Sequence, residues 1–569
     1  MKSAVVLAAF AIACSHPPER AHPTAVVSAP SRERTLTIIG TNDLHGAMDR
    51  LPLLAGFVDN IRAARAADGG GMLLVDAGDL FQGTLESNAA EGADVVLAYN
   101  AMGYAASALG NHELDYGPVG PAVTAKTADD DPRGALKARM HEAKFPFLVS
   151  NIVDDKTGSA TLWPASVIVQ VAGIAVGIVG ASTQDTPTTT MPANFVGLRM
   201  TPDAQAIARE AKALRDRGAQ VIVVAAHMGS SCTDLDHPND TSSCDRGEEL
   251  FKVLDELPKG LVDVFVAGHT HAAIAHRIDG VAVIESYSSG RAFGRVDLRI
   301  TDAHVTAMTI HKPQLICPLD KDRNPVALAD CHPDSYEGKP VVADAAVQKI
   351  IDDALARSET RRHEKLGVVL SSTITKAYGT ESAEGNLLTD LMRQARPEAD
   401  IALTNGGGLR QDLPGGELTY GQLFAAMPFD NRFALVEASG KQIRRLVTKN
   451  LQRGGGIFSW SGIAAKARCK ADRLEVEIKV GGKPLEDDKQ YRVVTSDFLA
   501  SGGDGVLGKL PDGAIKLTDT IIREAIADVL RKTKGTIDPA KLFGPKTKRL
   551  DYEGKRPVEC GGKPAPEPD

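Results

Sequence analysis

"TLTIIGTNDLHG" occupies residues 35–46: a β-branched apolar run that breaks at Gly40 and then delivers Asn42, Asp43 and His45. So short and apolar a run reads as a buried strand, and the polar stretch after it as the loop beyond its carboxyl end. The same grammar recurs in "GMLLVDAGDLFQG" (71–83), "FPFLVSNI" (145–152), "QVIVVAAHMGS" (220–230) and "VDVFVAGHTH" (262–271). Helical patterns lie between them, as in "LPLLAGFVDNIRAARAA" (51–67) and "PDAQAIAREAKALRDRG" (202–218). Strands alternating with helices predict an α/β layered domain with a largely buried sheet. "VIVQVAGIAVGIVGAS" (167–182) predicts a hairpin around Gly173.

The strand ends carry the chemistry. Asp43 and His45 follow the first strand as D-x-H, and Asp79 follows the second. Asn111 and His112 follow a third apolar stretch in "ALGNHELDYG" (108–117), His227 ends "VVAAH", and His269 and His271 form H-x-H. One strand-end Asp is ordinarily a turn residue, and one His is ordinarily structural. Five such ends in order point elsewhere, because ligands of α/β sheets bind beyond the carboxyl ends of the strands. In an extended chain the middle residue of D-x-H or H-x-H points away, which would set both outer residues on one side. Imidazoles mixed with two carboxylates and an amide suit two divalent transition metals sharing a carboxylate. Such a pair clamps the attacking and leaving oxygens of a phosphoryl displacement.

The order "ND-H", "GD", "GNHE", "H", "GH-H" resembles the calcineurin-like metallophosphoesterases. "TNDLHG", "GDLFQGT", "GNHELDYG" and "SNI" are similar to the 5'-nucleotidase and UDP-sugar hydrolase family within them. The resemblance implies one metal on Asp43, His45, Asp79 and His271, and a second on Asp79, Asn111, His227 and His269. His271 stands where relatives often carry Gln or Asn. It also implies that His112 stabilises charge on the phosphoryl group or its leaving oxygen while Asp115 orients it, the arrangement expected of an Asp–His pair. Glu113 and Tyr116 read as packing or cap residues. Zinc, manganese and cobalt all suit the donor set.

Further along, "SAEGNLLTDLM" (382–392), "ADIALTNGGGLRQDLPGGELTYGQLFAAMPFDNRF" (399–433) and "VVTSDFLASGGDG" (493–505) resemble that family's C-terminal nucleotide-binding domain. On their own, "NGGG" is a Gly-rich turn and the phenylalanines are core aromatics. The resemblance makes Phe429 and Phe498 two faces of a base clamp, a contact tolerant of base identity. It sets Arg410 on phosphate, Asp504 on the ribose hydroxyls and Asn405 and Asn431 nearby, with Gly407 and Gly408 admitting the ligand to the backbone. Relatives usually carry Arg where this chain has Thr380, before Glu381 and Ser382, which leaves room for cyclic, dinucleotide or UDP-sugar substrates.

The implied architecture is a layered metallophosphoesterase β-sandwich flanked by helices, followed by a second α+β nucleotide-binding domain. At 569 residues the chain exceeds a single core, and a net charge of −8 without a dense basic stretch argues against a nucleic-acid polymer as partner. Residues 1–14 read as a signal peptide: Lys2, then an apolar run too short to span a bilayer, ending at "AIAC". That end resembles a bacterial lipobox with Cys14 lipidated; cleavage after "AIA" is the alternative. Residues 15–34 form a Pro-containing spacer, 35–312 the catalytic domain, 313–362 a linker and connecting helix, 363–552 the substrate domain and 553–569 a tail. Removing Cys14 from seven cysteines leaves six, which fits an oxidising compartment. Of the fifteen pairings open to six, Cys232 with Cys244 and Cys317 with Cys331 each close a local loop, leaving Cys469 with Cys560. The expected function is an exported two-metal hydrolase of nucleoside 5'-monophosphates. The alternatives are cyclic-nucleotide or UDP-sugar hydrolysis, a thiosulfohydrolase, or a nucleotide-binding surface protein without activity.

Overall fold

The computed structural model describes residues 33–159, 163–302, 304–319, 326–505 and 514–560. The signal peptide, Cys14 and nearly all of the spacer fall outside the described residues, as does the end of the tail. Two six-stranded sheets build the first domain. In the first, the parallel strands Arg34–Thr41, Gly71–Asp76, Ala106–Ala108 and Phe147–Leu148 continue on one edge into the antiparallel strands Ala292–Thr301 and His304–Leu315. In the second, Ile174–Ser182, Val221–His227, Val264–Ala267 and Val281–Ser286 run parallel between antiparallel edge strands Ser166–Val171 and Ala273–Ile278. The edge pair Ser166–Val171 and Ile174–Ser182 is the hairpin expected around Gly173.

Alternation explains why the opening strand is apolar throughout. Leu36 and Ile38 face the space between the sheets, where they meet Val176, Ile178, Val223 and Val266. Ile39 faces the other way, into a cluster with the helices Leu51–Asp68, Ala93–Met102 and Ala345–Arg362. The second sheet likewise packs Ile222 and Val224 against Asp203–Asp216 and Glu249–Glu256. Each such Leu or Ile contributes about 1.5–3 kcal/mol when fully buried, so both faces favour the run that the sequence shows. The result is a β-sandwich with helices on both outer faces.

The second domain centres on a five-stranded sheet ordered Phe458–Ser461, Ile401–Asn405, Gln490–Ser496, Arg432–Ser439, Ile515–Ile521. Helix Ala383–Ala395 covers one face, started by Ser382, whose hydroxyl accepts the Gly385 N–H at 3.1 Å. Helix Gly440–Gln452 and a four-stranded sheet cover the other. Three disulfides close Cys232–Cys244, Cys317–Cys331 and Cys469–Cys560.

Helix Ala345–Arg362 belongs to the packing more than a linker would. Asp344 caps it at 2.8 Å, and Val347, Ile351 and Ala354 sit in the first domain's core. Its last turn reaches both domains: Arg362 bonds Glu86 of the first, while Arg361 bonds Glu524 and lies 3.7 Å above the Tyr420 ring of the second.

Candidate metal centre

The loops beyond the sheet ends gather the predicted residues into two groups. Asp43, His45 and His271 form one, and Asp79, His227 and His269 the other; within each, the donor atoms lie within 4.8 Å of one another. Asp79 touches both groups, with Oδ2 at 3.0 Å from His227 Nε2 and 3.7 Å from His45 Nε2. Asn111 presents Oδ1 to His227 Nε2 at 3.0 Å.

The imidazoles are aimed by their far nitrogens. His45 Nδ1 donates to the Gln82 carbonyl at 2.8 Å and His227 Nδ1 to the Ala77 carbonyl at 2.9 Å. With those protons placed, Nε2 is in each case the nitrogen left to meet a metal, the tautomer that metal-ligating histidines use. His45 Nε2 lies 3.0 Å from His271 Nε2, and His269 Nδ1 lies 3.2 Å from His227 Nε2. Nitrogens converging this closely, among buried carboxylates, fit a bound cation.

The electrostatics agree. Burial opposes ionisation of Asp43 and Asp79, yet His271 and His227 outweigh it and hold both carboxyls well below the usual range. Burial likewise opposes the charge on His227, but Asp79 pushes it up to about 10. Burial, then His227, brings His269 down to about 3. A divalent cation would replace the proton that His227 otherwise holds.

The backbone corrects one expectation. Asp43 and His45 both have φ of 50°, and His269 and His271 have φ of 78° and 56°, so neither motif is extended. Side chains converge because the backbone turns left-handed at each of these residues, and at Asp79 too, where φ is 61°. Non-glycine residues in this region cost about 1–3 kcal/mol each and cluster at functional sites. The loops also approach too closely for side chains elsewhere: a Cβ on Gly110 would stand 2.2 Å from Asp79 Oδ1.

Glu113 is more than a cap. Buried, it accepts N–H bonds from Asp79 (2.9 Å), Leu80 (2.6 Å) and Gly110 (2.8 Å), locking the Asp79 loop to the Asn111 loop. Asn42 Nδ2 donates to Asp43 Oδ2 at 2.7 Å. His112 Nδ1 lies 2.6 Å from Asp115 Oδ2. Burial opposes protonation of His112, but Asp115 and Asp79 prevail and raise it.

A pocket of about 630 Å³ opens over the centre, lined by Asp79, Asn111, His112, Asp115, His269 and His271 from below. Asp43, His45 and His227 lie beneath that lining and buried. The second domain supplies the roof: Asn405, Gly407, Gly408, Arg410, Phe429, Asn431, Phe498 and Asp504 all line the same pocket. Asn405 Nδ2 donates to Asp504 Oδ2 at 2.8 Å. The Phe429 ring stands 5.4 Å from the His112 ring and 5.8 Å from the Arg410 guanidinium. Buried Arg523 fixes the turn before it through the Met427 and Phe429 carbonyls. Thr380 is exposed, while Lys376 and Tyr378 on the same segment line the pocket. The sequence reading missed both.

Residues 36–273 match the calcineurin-like phosphoesterase domain and residues 359–509 the 5'-nucleotidase C-terminal domain. The chain is a metal-dependent phosphoester hydrolase of the 5'-nucleotidase family. Protein UshA of Yersinia enterocolitica is 25% identical to this family member over 506 residues, covering 83% of this chain and 86% of that protein. Endonuclease YhcR of Bacillus subtilis is 26% identical over 521 residues, 85% of this chain but 39% of its own length. In fold, the chain is similar to a 5'-nucleotidase precursor from Thermus thermophilus, with a TM-score of 0.69 at 24% identity over 91% of this chain and 99% of that one.

Proposed function

We propose that this enzyme binds two divalent metal ions and releases phosphate from nucleoside 5'-monophosphates outside the cytoplasm. The observation that carries the reading is Asp79 between two ligand groups, under a roof that brings Arg410, Phe429, Phe498 and Asp504 to the same pocket. Asp43, His45, Asp79 and His271 would hold one ion, and Asp79, Asn111, His227 and His269 the other. Bound there, such ions supply Lewis acidity at the phosphoryl group and a nucleophile from water at neutral pH. Zinc, manganese and cobalt suit these donors.

The remaining roles fall to the chain's own groups. Asp115 holds the Nδ1 proton of His112, so Nε2 is the atom free to meet the phosphoryl group or its leaving oxygen. Arg410 offers a planar fork to the phosphate oxygens. Asp504, steadied by Asn405, takes the ribose hydroxyls, and the two phenylalanines take the base. Residues 35–312 thus carry the reaction and 363–552 the recognition.

Export rests on the leader and on the three disulfides, which suit an oxidising compartment. Among the described residues no helix is long and apolar enough to cross a membrane; attachment would come from lipid on Cys14. Phosphate release from a panel of nucleotides, with each metal in turn, tests the reading. Hydrolysis of cyclic nucleotides or UDP-sugars, followed through their phosphomonoester products, in place of monophosphates would overturn its substrate, and no hydrolysis of any would overturn its chemistry.

A further inference from the structure

Asp115 is gripped from two sides. Oδ2 takes the His112 Nδ1–H, while Oδ1 accepts the Thr190 hydroxyl and the Met191 backbone N–H, both at 3.1 Å. The same segment steadies the rest of this loop. The Thr189 carbonyl accepts from Asn111 Nδ2 at 3.1 Å, which leaves Asn111 Oδ1 turned to His227. Asn194 Nδ2 donates to the carbonyls of Leu114 (2.9 Å) and Val123 (3.0 Å). Residues 189–194 therefore set the plane of the Asp115 carboxylate, and through it the direction of His112.

The other face of this segment belongs to the second domain. The Met191 side chain, 6% exposed, sits in the second domain's hydrophobic cluster with Phe498, Leu499 and Ile457. Helix Thr186–Thr189, just before it, packs against the turn Gly503–Gly505 that bears Asp504. One residue thus has its N–H on the catalytic carboxylate and its thioether in the core of the neighbouring domain.

We propose that Thr190 and Met191 are positioning residues that couple the seating of the second domain to the alignment of the His112–Asp115 pair. The inference rests on the reading of His112 as a catalytic group. Two donors on a carboxylate are charge-assisted and resist rotation about the Asp115 side chain. With the second domain seated as it is here, both donors reach Asp115 and the pair is aligned; loosening that seat would misalign it for any phosphoester.

Steady-state kinetics on adenosine 5'-monophosphate and on 4-nitrophenyl phosphate, with bound metal measured on each protein, test this. Thr190→Val removes the hydroxyl at constant shape and should lower kcat about tenfold to a hundredfold at unchanged KM, the effect of losing a hydrogen bond to a charged group. Thr190→Ser should restore it. Met191→Ala should lower kcat on both substrates with metal content intact, and Met191→Leu, which keeps the apolar contact, should not. Wild-type kcat in Thr190→Val, failure of Ser to restore it, or a Met191→Ala defect confined to KM for the nucleotide would each overturn the inference. Should Met191→Ala not fold, the Thr190 pair decides alone. His112→Ala runs alongside: unimpaired turnover there defeats the catalytic reading itself, whereas a loss there with silent Thr190 variants defeats only the coupling.

Discussion

Arg410 Nη2 lies 3.2 Å from His45 Nε2, although 365 positions separate the two residues in the chain. A cation from the second domain is thereby held against a ligand group of the first. Burial and then Arg410 keep His45 well below the usual imidazole range, so it stays neutral and able to ligate. Arg410→Ala should cut kcat/KM on nucleotides and on 4-nitrophenyl phosphate alike, since both present phosphate, while bound metal stays at the wild-type level. Arg410→Lys should rescue little, because a point charge cannot replace a planar fork. A nucleotide-only defect would move Arg410 off the phosphate.

Asp79→Ala should abolish turnover and lower bound metal, because both ligand groups lose their shared anion. Elemental analysis alongside the assay checks this. Full activity in protein stripped of metal would end the two-metal reading.

Chelation followed by metal return makes the same point thermodynamically. A ligand that binds only the folded state adds about 2.7 kcal/mol at a hundredfold excess over its dissociation constant. Chelator-treated protein should lose activity and melt at lower temperature, and zinc, manganese or cobalt should restore both together. Restored activity without a shift in Tm would count against tight ligation.

The two aromatic residues should behave differently. Phe498 packs in the second domain's core and lines the pocket from that side. Phe498→Leu, which keeps an apolar side chain in the cluster that seats Met191 but removes the aromatic face, should raise KM for nucleotides by an amount set by about 1–3 kcal/mol of stacking, and leave 4-nitrophenyl phosphate turnover in place. Phe429, 5.4 Å from His112, should affect both substrates when truncated. Equal damage from the two variants would remove Phe498 from the clamp.

Glu384 offers a pH test away from the metals. Its carboxylate is buried, and burial, with Asp412 adding to it, pushes its pKa from 4.5 up to about 9. A folded value above the unfolded one means that the fold binds the proton more tightly. The stability this contributes is complete below about pH 4.5 and lost as pH rises towards 9. Glu384→Leu should therefore raise Tm most at pH 8–9 and least at pH 5. A constant difference across that range would show that the carboxyl is not titrating as described.

Much of this was legible in sequence because parallel sheets send their carboxyl ends to one edge, so Asp43, Asp79, His227 and His269 announce a common site by position alone. The alternating faces of "TLTIIG" are legible for the same local reason. What sequence periodicity could not carry was backbone hand: the left-handed turns at Asp43 and His45 follow from tertiary packing, not from D-x-H spacing. Glu113 escaped because its three partners include a loop more than thirty positions upstream. Thr190 and Met191 escaped because nothing local marks a methionine whose backbone and side chain serve different domains. Asn405 and Asp504, 99 positions apart, meet through tertiary packing, and only the family resemblance pairs them in advance.

Helix Ala345–Arg362 has a practical consequence for anyone who divides this chain. Tyr336, ahead of this helix, packs edge-on against the Phe57 and Phe293 rings, and Val347, Ile351 and Ala354 join the same cluster. A fragment that stops near residue 312 would leave those rings facing water, and a fragment that starts at 363 would lose Arg361 from above Tyr420. Neither half is a finished object at the seam that composition suggests. An expression boundary for the catalytic half belongs after Arg362, and a protease that cuts ahead of Ala345 should leave two pieces that still travel together.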